Sequence, residues 1–111
     1  MKKLLVTFVV LAFCIVIGQI ASMAECPVTG VYQSDWGDVH LTETGKMVNG
    51  TWKNGTVSGM RIGNTIHYIW YEGNVMGGKG VWTVSPDCKT LTGPWGHGNS
   101  ETGGGQWNLY K

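Results

Sequence analysis

The chain has 111 residues, a formal charge of +1, 18 glycines and six tryptophans, and only 14% of its residues are charged. That length fits one domain, and no basic run follows Lys3, which argues against a phosphate-tracking nucleic-acid binder. Three cysteines and three scattered histidines supply no Cys-x-x-Cys and no clustered metal-ligand spacing.

Met1-Lys2-Lys3 leads into an apolar run from Leu4 to Ile17, then to the small-x-small exit Ser22-Met23-Ala24. This is the pattern of a secretory signal peptide over residues 1–24, cleaved after Ala24. An uncleaved anchor is the alternative, but it needs about 20 apolar residues. Neither Cys14 nor Cys26 follows a small residue, so neither fits a lipoprotein site. The expected product is a single domain, residues 25–111, exported to a periplasm or secreted, with no membrane span. Its six basic residues face seven acidic ones.

Export leaves Cys26 and Cys88 in an oxidising compartment, where an even count predicts a disulfide. Closing so long a loop contributes roughly 4 kcal/mol, useful to a domain with a small core. Two free thiols are the alternative.

No apolar helical period persists after the signal. Short runs rich in Val, Thr, Ile, Tyr and Trp alternate instead with Gly, Asn, Asp and Pro. Strands are predicted over 30–34, 38–42, 47–53, 56–62, 65–72, 80–84, 90–95 and 105–110. Asp35-Trp36-Gly37 turns the chain after the first. Asn54-Gly55 is the strongest hairpin signal, since both residues accept positive φ. Glycine-rich loops are expected at Gly73–Lys79 and His97–Gly104. Pro94 lacks a ladder donor and marks an edge, a bulge or a strand end.

A triplet recurs through these strands: Gly30-Val31-Tyr32, Gly50-Thr51-Trp52, Gly80-Val81-Trp82, Gly93-Pro94-Trp95 and Gly105-Gln106-Trp107. Residues i and i+2 of a strand share a face, so each triplet sets a bare glycine beside a ring. Strand glycines let a sheet curl, and rings on neighbouring strands cover the holes. The expected fold is therefore all-β: an antiparallel meander of eight short strands forming a small up-and-down barrel. An open curled sheet or a two-layer sandwich satisfies the same alternation.

Three stretches resemble the avidin and streptavidin family of secreted eight-stranded barrels. Gly30-Val31-Tyr32 with Ser34 and Trp36-Gly37 is similar to that family's opening Gly-x-Trp, Asn and turn. Val48-Asn49-Gly50-Thr51-Trp52 is similar to its Gly-Thr-Tyr strand, and Gln106-Trp107-Asn108-Leu109 to its closing Trp-Leu strand. The resemblance implies the barrel. It does not carry over biotin binding, because Tyr32 stands for the family's Trp, Ser34 for its ligand-binding Asn, and Asp38 near its ligand-binding Ser. Small exported bacterial β proteins with repeated Gly-x-Trp strands are equally similar.

Trp52, Trp70, Trp82, Trp95 and Trp107 suit a barrel core, each burial contributing about 2–3 kcal/mol; a ligand cavity is the second use of such rings. Trp36 differs, lying in a polar turn. Trp95-Gly96-His97 echoes it, and turns after odd-numbered strands share one rim. Trp36, Trp95, Asp35, Asp38 and His97 are therefore the candidate ligand-binding residues. No nucleophile stands beside a base, and Asp35 and Asp38 fit ordinary turn chemistry, so no catalytic residue, metal or cofactor is assigned. Asp38, His97 and Glu101 are the one metal alternative. The expected function is non-enzymatic binding of a small molecule or glycan; an envelope protein docking on the loops Gly73–Lys79 and His97–Gly104 is the alternative.

Overall fold

The computed structural model describes residues 26–111, so the expected signal peptide lies outside the described residues. The strands are β1 (Gly30–Ser34), β2 (Val39–Thr44), β3 (Met47–Trp52), β4 (Gly55–Ile62), β5 (Thr65–Glu72), β6 (Val75–Val84), β7 (Thr90–Thr92), β8 (Pro94–His97), β9 (Gly105–Gln106) and β10 (Leu109–Tyr110). β7 and β8 are one strand broken at Gly93, and β9 and β10 are one strand broken at Trp107-Asn108. The breaks face each other: Trp107 N donates to Gly93 O at 2.9 Å, and Gly93 N to Asn108 Oδ1 at 3.2 Å. Ten segments thus make eight antiparallel strands in sequence order, and β1 pairs with β10 to close the barrel. That closing seam has the shortest ladder, Gln33 opposite Tyr110 and Ser34 opposite Leu109.

Two local expectations need correction. The glycine-rich stretch Gly73–Lys79 is mostly strand, not loop. β6 starts at Val75, after a two-residue Gly73-Asn74 turn, and its ladder with β5 shifts register between Trp70 and Tyr71. Gly77 is the extra residue there; a Cβ on it would run into the Trp70 ring. Asn54-Gly55 is not the hairpin turn either. Trp52 lies opposite Gly55, so the turn is Lys53-Asn54, and neither of these has positive φ. Gly55 is held in the ladder because any Cβ there would meet the Tyr71 carbonyl oxygen. Three two-residue hairpin turns do use positive φ, beginning with Gly45, Gly63 and Gly73 at 60°, 60° and 56°, which matches a turn with glycine in its first central position.

The Gly-x-aromatic triplet works between strands. Trp52 on β3 sits opposite Gly55 on β4, and its Nε1 donates to Tyr71 O on β5 at 3.0 Å. Trp70 on β5 sits opposite Gly78 on β6, and its Nε1 donates to Gly96 O on β8 at 3.0 Å. Trp82 on β6 reaches past Gly93 to Trp107 O at 3.0 Å. Each indole crosses one strand where a glycine leaves room and satisfies its N–H on the next. Tyr68 covers Gly80 in the same way and stacks on Trp82 at 4.0 Å between centroids. Gly80→Ala would push a methyl into the Tyr68 ring and should cost about 1–3 kcal/mol by overpacking, read from urea unfolding.

One end of the barrel is plugged. The segment Cys26–Thr29 enters it, and Val28 is fully buried. Arg61, 4% exposed, donates from Nη1 to Cys26 O at 2.6 Å and to Glu43 Oε1 at 3.0 Å, and from Nε to Gly63 O at 2.8 Å. Val28 N donates to the same Glu43 oxygen at 2.9 Å, and the Tyr32 hydroxyl donates to Val28 O at 2.6 Å. The expected disulfide joins Cys26 to Cys88, with Cα atoms 6.0 Å apart, and is compatible with an exported protein.

Burial, reinforced by the Glu43 charge and opposed by Arg61, pushes the Tyr32 phenol up to about 12, and burial alone raises Tyr68 further. The folded state therefore binds protons that the unfolded chain releases above its ordinary pKa of about 10. Stability should stay level up to that pH and fall as pH rises through about 12, where thermal melts followed by circular dichroism would show a drop that Tyr32→Phe lessens.

Candidate functional site

The opposite end is open. The connections after β1, β3, β5 and β8 lie there, and the first of them carries Trp36. Ser34 builds that turn. Its hydroxyl donates to Gly37 O at 2.6 Å and accepts from Trp36 N at 3.2 Å. It also accepts from Trp107 Nε1 at 3.1 Å, which uses up the one donor and two acceptor positions of a hydroxyl. Gly37, at φ 90°, takes the sharp corner. The turn leaves Trp36 46% exposed.

Below Trp36 lies a cavity of about 260 Å³. Trp52, Trp70, Trp95 and Trp107 form its walls, with Trp36, Glu72 and His97 completing the lining. The rings meet edge to face: Trp36 with Trp95 at 5.8 Å and 89°, Trp95 with Trp70 at 5.5 Å and 87°, Trp70 with Trp52 at 6.3 Å and 84°. His97 packs against Trp95 at 5.1 Å and Trp70 at 5.7 Å. The walls are fixed from behind, since the Nε1 groups of Trp52, Trp70 and Trp107 are bonded to the protein. Neither Trp36 nor Trp95 has an Nε1 partner among the described residues.

Of the five sequence-derived candidates, Trp36, Trp95 and His97 come together on this cavity. Trp95 and His97 do so from strand β8, as inward residues rather than as a turn. Asp35 and Asp38 flank Trp36 on the exposed turn and do not line the cavity. Trp82 is core, fully buried, whereas Trp52 and Trp95 are only partly buried and face the cavity. Glu72 is not among the candidates, though strand parity could have found it, since it follows Ile66, Tyr68 and Trp70 on the inward face of β5. Ser34 enters only through the family resemblance, as the residue in place of a ligand-binding Asn; its bond to Trp107 across the seam has no local sequence signal.

Glu101 sits away from the cavity, 2.7 Å from His67 Nδ1 on the outer wall, so it cannot join Asp38 and His97 around a metal. Among the described residues no three His, Cys, Asp or Glu side chains gather to hold one. His40 and His67 lie exposed on β2 and β5, and neither lines the cavity that His97 lines. Compared with family models, curated proteins and solved structures, the chain has no match in any of the three.

Proposed function

We propose that the protein is an exported, non-enzymatic binding module that takes a small molecule or glycan into the tryptophan-lined open end of its barrel. The observation that carries this is the contrast between the two ends. One is filled by Val28, Arg61 and Glu43, while the other leaves a cavity with four indole walls and an exposed indole at its mouth. Apolar pockets with a few placed polar groups are the usual form of a small-molecule site.

Tryptophan emission reports occupancy directly. A compound that binds should change it, and Trp36→Ala should weaken that compound about tenfold. The same substitution should alter stability by about 1 kcal/mol or less, as Trp36 stands 46% exposed in a rim turn. If no small molecule or glycan perturbs the emission, and Trp36→Ala leaves every detected interaction intact, the proposal is wrong. A second reading, docking of an envelope protein on the rim, draws on Val75 and Met76, which stand 70% and 42% exposed beside the Gly73-Asn74 turn. Pull-down from envelope extract tests it.

A further inference from the structure

We infer that the ligand of this pocket presents a methylated ammonium group, quaternary or nearly so; the inference rests on the open end being a binding site. Its first support is an inventory of polar groups. Three of the five lining indoles spend their N–H on Tyr71 O, Gly96 O and Ser34 Oγ. Only the Trp36 and Trp95 N–H groups, His97 and Glu72 remain to meet a guest. A sugar ring buried here would leave hydroxyls without partners, at a cost for each. A methylated ammonium has few or no N–H groups, so the scarcity of acceptors does not penalise it.

Charge is the second support. Glu72 is the one formally charged residue on the lining, and Asp35 and Asp38 lie on the same open rim in the β1–β2 turn, with Lys53 in the β3–β4 turn as the cation of that rim. At the plugged end Lys46, Arg61, Lys89 and Lys111 outnumber Glu43 and Asp87, and Lys79 lies mid-strand on β6. Such a separation makes the mouth the acidic pole of the barrel and draws cations to it.

Shape is the third. Successive near-perpendicular steps from Trp36 to Trp95, Trp70 and Trp52 turn the indoles around the cavity like the sides of a box. A box encloses a rounded head group better than a flat ring. Indoles are the strongest aromatic partners of cations, and cages of them suit methylated ammonium groups. The volume of about 260 Å³ falls below the ~300–1,000 Å³ of sites for drug-sized ligands, which favours a compact head group.

The test compares charged and uncharged guests of one shape. The purified protein is titrated with tetramethylammonium, choline and trimethyllysine, and in parallel with 3,3-dimethyl-1-butanol, the neutral carbon counterpart of choline. Tryptophan emission and calorimetry provide the readouts. At least one cation should bind about tenfold tighter than the neutral alcohol. Glu72→Gln should narrow that preference by severalfold, the cation losing more than the alcohol, and added salt should weaken the cation more than the alcohol. If the alcohol binds as tightly as every cation, or a sugar binds and the cations do not, the inference is overturned and the pocket remains a binding site. If neither these probes nor a wider screen changes the emission, inference and binding site fall together.

Discussion

Arg61→Ala should remove about 3–5 kcal/mol of stability, the cost of breaking a buried ion pair from one side. The guanidinium ties the N-terminal segment to β2 and to the β4–β5 turn through Cys26 O, Glu43 and Gly63 O. Without it the Glu43 carboxylate, whose side chain is 14% exposed, keeps only the Val28 N–H of the partners described above. Arg61→Met combined with Glu43→Gln should recover a large part of the loss, because no charge is then left buried and the Val28 N–H keeps an acceptor. Urea unfolding of the single and double variants measures both quantities. A loss under about 1 kcal/mol for Arg61→Ala would mean that the plug is held by Val28 packing alone.

Opening the disulfide should cost about 4 kcal/mol, from the loop entropy restored to the unfolded chain over a separation of 62 residues. The native backbone adds a second, smaller effect. Cys88 has φ 57°, and among the described residues it is the one non-glycine at positive φ. The Ser85–Lys89 turn holds it there, with Cys88 N donating to Ser85 O at 2.9 Å, and the bridge fixes the residue as cysteine. With the bridge gone, Cys26→Ser paired with Cys88→Gly should be more stable than Cys26→Ser paired with Cys88→Ser by about 1 kcal/mol, since glycine adopts that conformation freely. Both variants should retain ligand binding, as the bridge closes the end remote from Trp36. Chemical denaturation and the emission titration together check this.

Much of the fold was legible because the alternation of inward residues is direct. Ile66, Tyr68 and Trp70 on β5, or Val57 and Gly59 on β4, declare their face by parity alone. The barrel end that holds Trp36 and Trp95 followed from counting odd and even strands. What misled was glycine, which signals both freedom and crowding. Gly55 resembles a turn residue and Gly77 a loop residue, yet both are placed by a neighbour's approach, the Tyr71 carbonyl and the Trp70 ring. That distinction belongs to contacts far apart in the chain. The Arg61–Glu43 pair was hidden for a similar reason. Neither residue carries a local mark, and only closure of the barrel over the N-terminal segment buries them together.

The bond from Trp107 to Ser34 has a thermodynamic consequence. It crosses the seam between the first and last strands, where the ladder is shortest, and both partners serve the open end: Trp107 as a wall and Ser34 as the anchor of the Trp36 turn. A guest that needs these two residues in place has affinity for the closed ring and none for a ring parted at that seam. Its free concentration then acts as a latch, raising the work of parting by RT ln(1 + [L]/Kd), about 2.7 kcal/mol at a hundredfold excess over Kd. Amide exchange in β1 and β10 is where that coupling is written, slowing as the pocket fills while the plugged end stays unchanged.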